Sequence, residues 1–300
     1  WTNTPITINS GNIKGAIRLG SYGSDPNPPK IRLTTNTALP SKTRFPCVIC
    51  VARNFMSLGS TSDLVVQNLW LTSENDRSDS KPTGVQVDSP GNRVLVMGVK
   101  FDKIHQGIMV RNFSNPTYFF AFENQMTAIG KGSGGNGMWL ELNFGAAEGN
   151  SITDTSGGEH GIRAQGSTEF AYGHNTILKP NAKNGKHCFT IRAKGAGSLA
   201  SRWNSVFDNF FQNTSDNKNW TVHLGPQDSA NPTQTVQTTR MEDNDIKSFI
   251  APAIRVEGPS NTIRINDLRT NSSSCVSIAK KCTGCPDPVD VVVENNACGR

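Results

Sequence analysis

Charge is scarce in this sequence: Asp, Glu, Lys and Arg together make up 18% of its 300 residues. Runs of Ala, Glu, Lys and Leu are missing too, which leaves no framework of long helices. No segment approaches the roughly 20 consecutive apolar residues that span a membrane. No Pro/Ser-rich linker or shift in composition divides the chain, which predicts a single domain over residues 1–300. There is neither a nucleic-acid recognition motif nor an array of aromatics for base stacking, so nucleic acid is not an expected partner. Gly, Asn, Ser and Thr are abundant instead, the composition of many short strands joined by tight turns.

The chain begins at Trp1 and carries seven cysteines. Together these predict a processed, secreted, extracellular protein whose disulfides close its two ends. Cys47 and Cys50 lie toward one end, and Cys275, Cys282, Cys285 and Cys298 mark a Cys-rich segment, about 272–300, that caps the other. Cys188 falls inside a strand and reads as a small packed residue. Cys282 and Cys285 have no second CxxC or histidines beside them, so zinc is not expected.

Between those ends one rhythm recurs: an alternating apolar strand, a turn, then a second strand that opens near an Asn. The first strands read GVQVDS from Gly84, GIMVRN from Gly107, GMWLEL from Gly137, HGIRAQ from His160, FTIRAK from Phe189, TVHLGP from Thr221, AIRVEG from Ala253 and CVSIAK from Cys275. Taking Val87, Val110, Leu140, Ile162, Ile191, Val222, Val256 and Ile278 as equivalent gives steps of 22–34 residues. Units of that size, none able to bury its apolar face alone, mark a solenoid. The predicted fold is all-β: a right-handed parallel β-helix of about 9–11 coils whose corresponding strands stack into long parallel sheets. A β-sandwich would need hairpin turns and strands spaced by about 8–12 residues, and those signals are weak here. Asn92, Asn150, Asn175, Asn204 and Asn261 precede second strands and are expected to stack as one internal ladder, with His174 buried beside it.

Side chains alternate faces along a strand, so the neighbours of the inward column point outward. The residues after the equivalent positions include Asp88, Arg111, Glu141, Arg163, Arg192, His223 and Glu257, predicted to run as one line along the outside of a single sheet. Two positions earlier stand Trp139, Gly161 and Thr190, with Gly161 expected to leave room between its neighbours. A solvated ionic ladder would account for such a row. Adjacent arginines repel one another, however, and guanidinium forks pair bidentately with carboxylate or sulfate. The net charge of +6 and pI near 9.0 favour a polyanion in the same direction. His160, Gln165, Lys186, His187 and Lys194 lie close to this row in sequence.

The tandem segments EHGIRAQGSTEFAYGHNTI, from Glu159, and HCFTIRAKGAGSLASRWNSVF, from His187, carry a family resemblance. They are similar to the central coils of the parallel β-helix polysaccharide lyases, the group containing alginate lyases and chondroitinase B. The resemblance covers about the middle half of the chain and implies the fold. It also implies an Arg for catalysis, matched by Arg192, while the family's catalytic Lys position holds Arg163. The family's acidic calcium cluster has no clear counterpart, so no cofactor is expected to be required, with calcium left as the alternative.

Cleaving a uronate polymer by β-elimination requires the carboxylate to be neutralised, a base for the C5 proton and a donor to the departing oxygen. Arg163 and Arg192 suit the first task and are poor bases. Lys186 is the first candidate base, with His160, His187 and His223 as alternatives. Arg111, Trp139, Glu141, Gln165, Lys194 and His223 are expected to bind substrate. The expectation is a monomeric polysaccharide lyase acting on an anionic, uronic-acid-containing polymer. The alternatives are a β-helix glycoside hydrolase using Glu141 and Glu159, or a noncatalytic, tailspike-like binder using the same groove.

Overall fold

A computed structural model describes residues 6–8, 17–21, 28–33, 47–51, 63–73, 83–87, 93–110, 117–130, 135–141, 143–153, 155, 159–178, 186–193, 200–214, 217–226, 235–280, 285 and 287–300. Those residues form 32 strands and no helix. Three sheets of ten strands each hold all but two of them, and every strand pairs in parallel with the strand three places further along the chain or its offset across an inserted strand. Each turn of the chain therefore gives one strand to sheet A, one to sheet B and one to sheet C. The architecture is a parallel β-helix of ten coils. A two-stranded sheet, Ser201–Arg202 beside Val236–Gln237, lies between sheets A and B.

Alternation supplies the core. In sheet A the stacked pairs Val85/Val87, Ile108/Val110, Met138/Leu140, Ile162/Ala164, Phe189/Ile191, Val222/Leu224 and Ile254/Val256 are all fully buried. Sheet C adds the column Leu71, Phe101, Met126, Ile152, Ile177, Phe211, Ile246 and Leu268. Gly161 belongs to this interior: a Cβ there would lie 2.3 Å from Ile177 Cγ2. Its missing side chain lets the chain turn tightly over the core, and it opens no space on the outer face.

Corners have a two-residue grammar. Between sheets B and C the first residue is left-handed, as at Asn68, Glu123, His174, Asp208, Asp243 and Ile265, and the second points inward. That inward residue is Asn124, Asn150, Asn175, Asn209, Asn244, Asn266 and Asn296 in seven successive coils. Each rung is bonded twice: Asn150 donates from its backbone N–H and its Nδ2 to Asn175 Oδ1, at 3.1 and 2.9 Å. The same pair of bonds recurs from Asn175 to Asn209 and from Asn209 to Asn244. Stacking amides keeps buried corner polar groups satisfied without water.

The single ladder expected from sequence is thus two rows. Asn204 and Asn261 sit at a different corner, before sheet B, where they accept from the N–H groups of Phe170 and Thr239. Asn92 lies outside the described residues. His174 is also a correction: it holds the left-handed corner position, and its side chain is 59% exposed. The C-terminal segment builds the tenth coil, with strands Val276–Ile278, Val292–Glu294 and Ala297–Gly299, and the Cys275–Cys298 disulfide ties the entry of the first of these strands to the middle of the last. Cys188 is buried and unbonded, Cys285 is in a disulfide, and the side chains of Cys47 and Cys50 are outside the described set.

Candidate active site on the outer face of sheet A

Register divides the expected outer row in two. Trp139, Arg163, Thr190, His223, Arg255 and Ser277 share one row, and Glu141, Gln165, Arg192 and Gly225 share the next. Ala164 and Leu224, rather than Ile162 and Val222, stand level with Leu140 and Ile191. The difference is a slip of two residues, which keeps every side chain on its face and is therefore invisible to an alternation pattern. Arg163 and Arg192 are consequently neighbours on a diagonal.

At the start of these strands the side chains of His160 and His187 stack with ring centroids 5.3 Å apart. His187 also packs against Trp220 at 5.9 Å and His223 at 5.1 Å. All three histidines are buried, although they lie outside the solenoid core. Burial, with Arg192 and His187 as the next contributors, holds His160 well below the ordinary histidine pKa. Burial, then His223, holds His187 well below it too, despite an opposing hydrogen bond to the Trp220 carbonyl.

Backbone partners assign the tautomers of both neutral rings. His160 Nδ1 accepts the N–H of His187 at 3.1 Å, so its proton resides on Nε2. That nitrogen lies 3.3 Å from Arg192 Nη2. Two donors thus face the same space, and neither satisfies the other. His187 has the opposite tautomer, because its Nδ1 donates to the Trp220 carbonyl at 2.7 Å. Its Nε2 keeps a lone pair that no described residue engages.

Arg192 is a partly buried cation with no carboxylate partner among the described residues. Burial and the nearby Arg163 lower its pKa to about 10, with Glu159 and Glu257 opposing. Its Nε donates to Thr190 Oγ1 at 3.3 Å. Thr190 can then donate to His223 Nδ1 at 3.4 Å, and His223 Nε2 donates to Glu257 Oε2 at 3.0 Å. Arg255 grips the other Glu257 oxygen at 3.1 Å and Ser277 Oγ at 2.7 Å. Gly225 makes this relay possible: a Cβ there would come within 2.5 Å of Glu257 Oε2 and 2.6 Å of His223 Nε2.

The remaining expected residues are brought nearby and are already engaged. Arg163 pairs with Glu159 at 2.9 Å and stacks over Trp139 at 4.8 Å. Trp139 Nε1 donates to Gln165 Oε1 at 3.0 Å, which holds the half-buried indole against the sheet. Lys186 Nζ stands 3.8 Å from Glu159 Oε1 and is about one-third exposed. Glu141 is buried in the row of Gln165 and Arg192. Arg111 and Lys194 lie outside the described residues. Sequence reasoning missed Trp220 and the Arg255–Glu257 brace; the only signal for Trp220 was an aromatic three residues before His223. Among the described residues no group of three or more His, Cys, Asp or Glu could hold a metal ion.

No protein-family model and no curated protein matches the sequence. Solved structures similar in overall course include the following two. The crystal structure of the Dettilon tailspike protein aligns with 98% of this chain and 60% of its own, at 11% identity and a TM-score of 0.46. The GH136 lacto-N-biosidase from Eubacterium ramulus aligns with 99% of this chain and 60% of its own, at 10% identity and a TM-score of 0.47. The chain spans about three-fifths of the length of each.

Proposed function

We propose that the protein binds a uronate-containing polysaccharide over the outer face of sheet A and cleaves it by β-elimination. The observation that carries this reading is the pair of donors Arg192 Nη2 and His160 Nε2, 3.3 Å apart with no acceptor between them among the described residues, beside a His187 lone pair that no described residue engages. A carboxylate oxygen is the group that satisfies both donors at once. Neutralising it lowers the barrier to removing the adjacent C5 proton. His187 Nε2 takes that proton, being neutral and oriented by the Trp220 carbonyl. The C5–H electrons form the C4–C5 double bond, the C4–O bond breaks, and the departing oxygen takes a proton from the partly exposed Lys186 ammonium. Lys186 thereby serves as the acid, its Nζ standing 3.8 Å from Glu159 Oε1 at the entrance of the strand.

The test is ultraviolet absorbance during incubation with alginate, pectate, glucuronan, glycosaminoglycans and a neutral control. Absorbance rises with one acidic polymer, as unsaturated uronate accumulates, and His187→Ala lowers the rate by about 10²- to 10⁴-fold. New reducing ends without absorbance would instead mean hydrolysis, with Glu141 and Glu159 as the carboxyl pair. Binding without either signal would mean a noncatalytic binder.

A further inference from the structure

The corner between sheets A and B repeats a left-handed residue at Glu169, Trp203, Thr238, Ser260 and Asp290, with φ of 50°, 56°, 55°, 56° and 55°. Four of these are polar, as suits a solvent-facing position. Trp203 is the exception. A bulky side chain in this backbone region is strained, and this one leaves the indole 49% exposed. The Arg202 guanidinium lies over it at 4.3 Å, and Arg202 has no acidic partner among the described residues. Ser201 ties the corner to the site, donating from Oγ to the Arg192 carbonyl at 2.7 Å. Ser201–Arg202 is also braced by Val236–Gln237, so the pair is presented on paired backbone.

We infer that Trp203 and Arg202 form a second sugar-binding position for an acidic saccharide, one that holds a unit of the chain distant from the bond that breaks. The inference rests on the proposed site around Arg192. Arg202 covers one side of the indole, so the exposure that remains lies on the rest of the ring. A pyranose stacks there through its C–H face, while its carboxylate reaches the guanidinium fork at the ring's edge. Arg192 stands near the C-terminal end of the strand Phe189–Ala193 and Ser201 bonds its carbonyl, so one saccharide crossing the sheet along that strand meets both positions in turn.

The experiment is calorimetric titration in a His187→Ala background, which retains Arg192 and His160, with disaccharides and hexasaccharides of mannuronate, guluronate, galacturonate and glucuronate. Adding Trp203→Ala weakens hexasaccharide binding roughly three- to tenfold, leaves the disaccharide unchanged and leaves the thermal midpoint unlowered. Trp203→Phe retains most of the hexasaccharide affinity, and Arg202→Ala loses it with the same length dependence. Equal effects on both lengths, or none on either, would overturn the second position while the site at Arg192 stands. If no oligomer binds the starting protein, the reading of the Arg192 site falls and this inference falls with it.

Discussion

The outer faces of sheets B and C near the C-terminus and the outer face of sheet A are built from the same stacked strands, yet they treat charge oppositely. On sheet C, Arg269 lies 2.6 Å from Asp267 and 3.7 Å from Asp245 in adjoining coils. On sheet B, Arg240 and Arg264 share Glu242. These rungs are open to water, and each cation has a carboxylate. On sheet A the histidines are buried, Arg163 and Arg255 have Glu159 and Glu257, and Arg192 has no carboxylate within ion-pair distance among the described residues. Exposed pairs are tolerated because they are nearly neutral in energy. A desolvated cation with no carboxylate partner among the described residues is unfavourable, and the anionic substrate proposed above would supply the missing charge.

Replacing Arg192 tests the contrast most sharply. Arg192→Met lowers kcat/KM by about 10²- to 10³-fold and leaves the melting temperature equal or higher, because it removes a desolvated charge that Arg163 repels. A clear fall in melting temperature would make Arg192 a structural residue and dissolve the difference between the faces. Glu257→Ala acts the other way: it leaves Arg255 and His223 without their buried acceptor, and chemical denaturation should show a loss of about 3 kcal/mol.

Acid gives a smaller effect with a definite sign. His160 and His187 have lowered pKa values in the fold, so the unfolded chain binds protons that the folded chain refuses as pH drops below about 6.5. Stability should fall through that window and level off below the folded pKa values, while a double His160→Asn, His187→Asn variant shows a shallower fall. For the same reason the acid limb of kcat/KM lies below the ordinary histidine pKa, since His187 stays neutral there. Smallest of all is Asp267→Asn on the exposed rung of sheet C, which should leave the thermal midpoint unchanged.

Much of the fold is legible from alternation and repeat length, because each inward position sees the same environment in every coil. Val87, Val110, Leu140, Ile191 and Val256 were aligned correctly for that reason. The gathering of Arg163, Arg192, His160, His187 and Lys186 onto one face was also readable, since strands of adjacent coils lie side by side. The splitting of the Asn ladder was less so. Asn175 and Asn204 both precede strands, and only the chain path assigns them to different corners.

Sequence alone determined that this chain is a parallel solenoid and which face carries the charged and aromatic residues, because periodicity is a local property that repeats. Tertiary structure decided which of those residues are spent on one another and which remain available. Arg163 and Arg192 read alike in one dimension, yet one pairs with Glu159 and the other faces a second donor. His160 and His187 likewise differ only through the backbone groups that hold their Nδ1 atoms. The contacts of Arg192, His160 and His187 join coils about 30 residues apart and depend on a two-residue register, which no pattern along a single strand can specify.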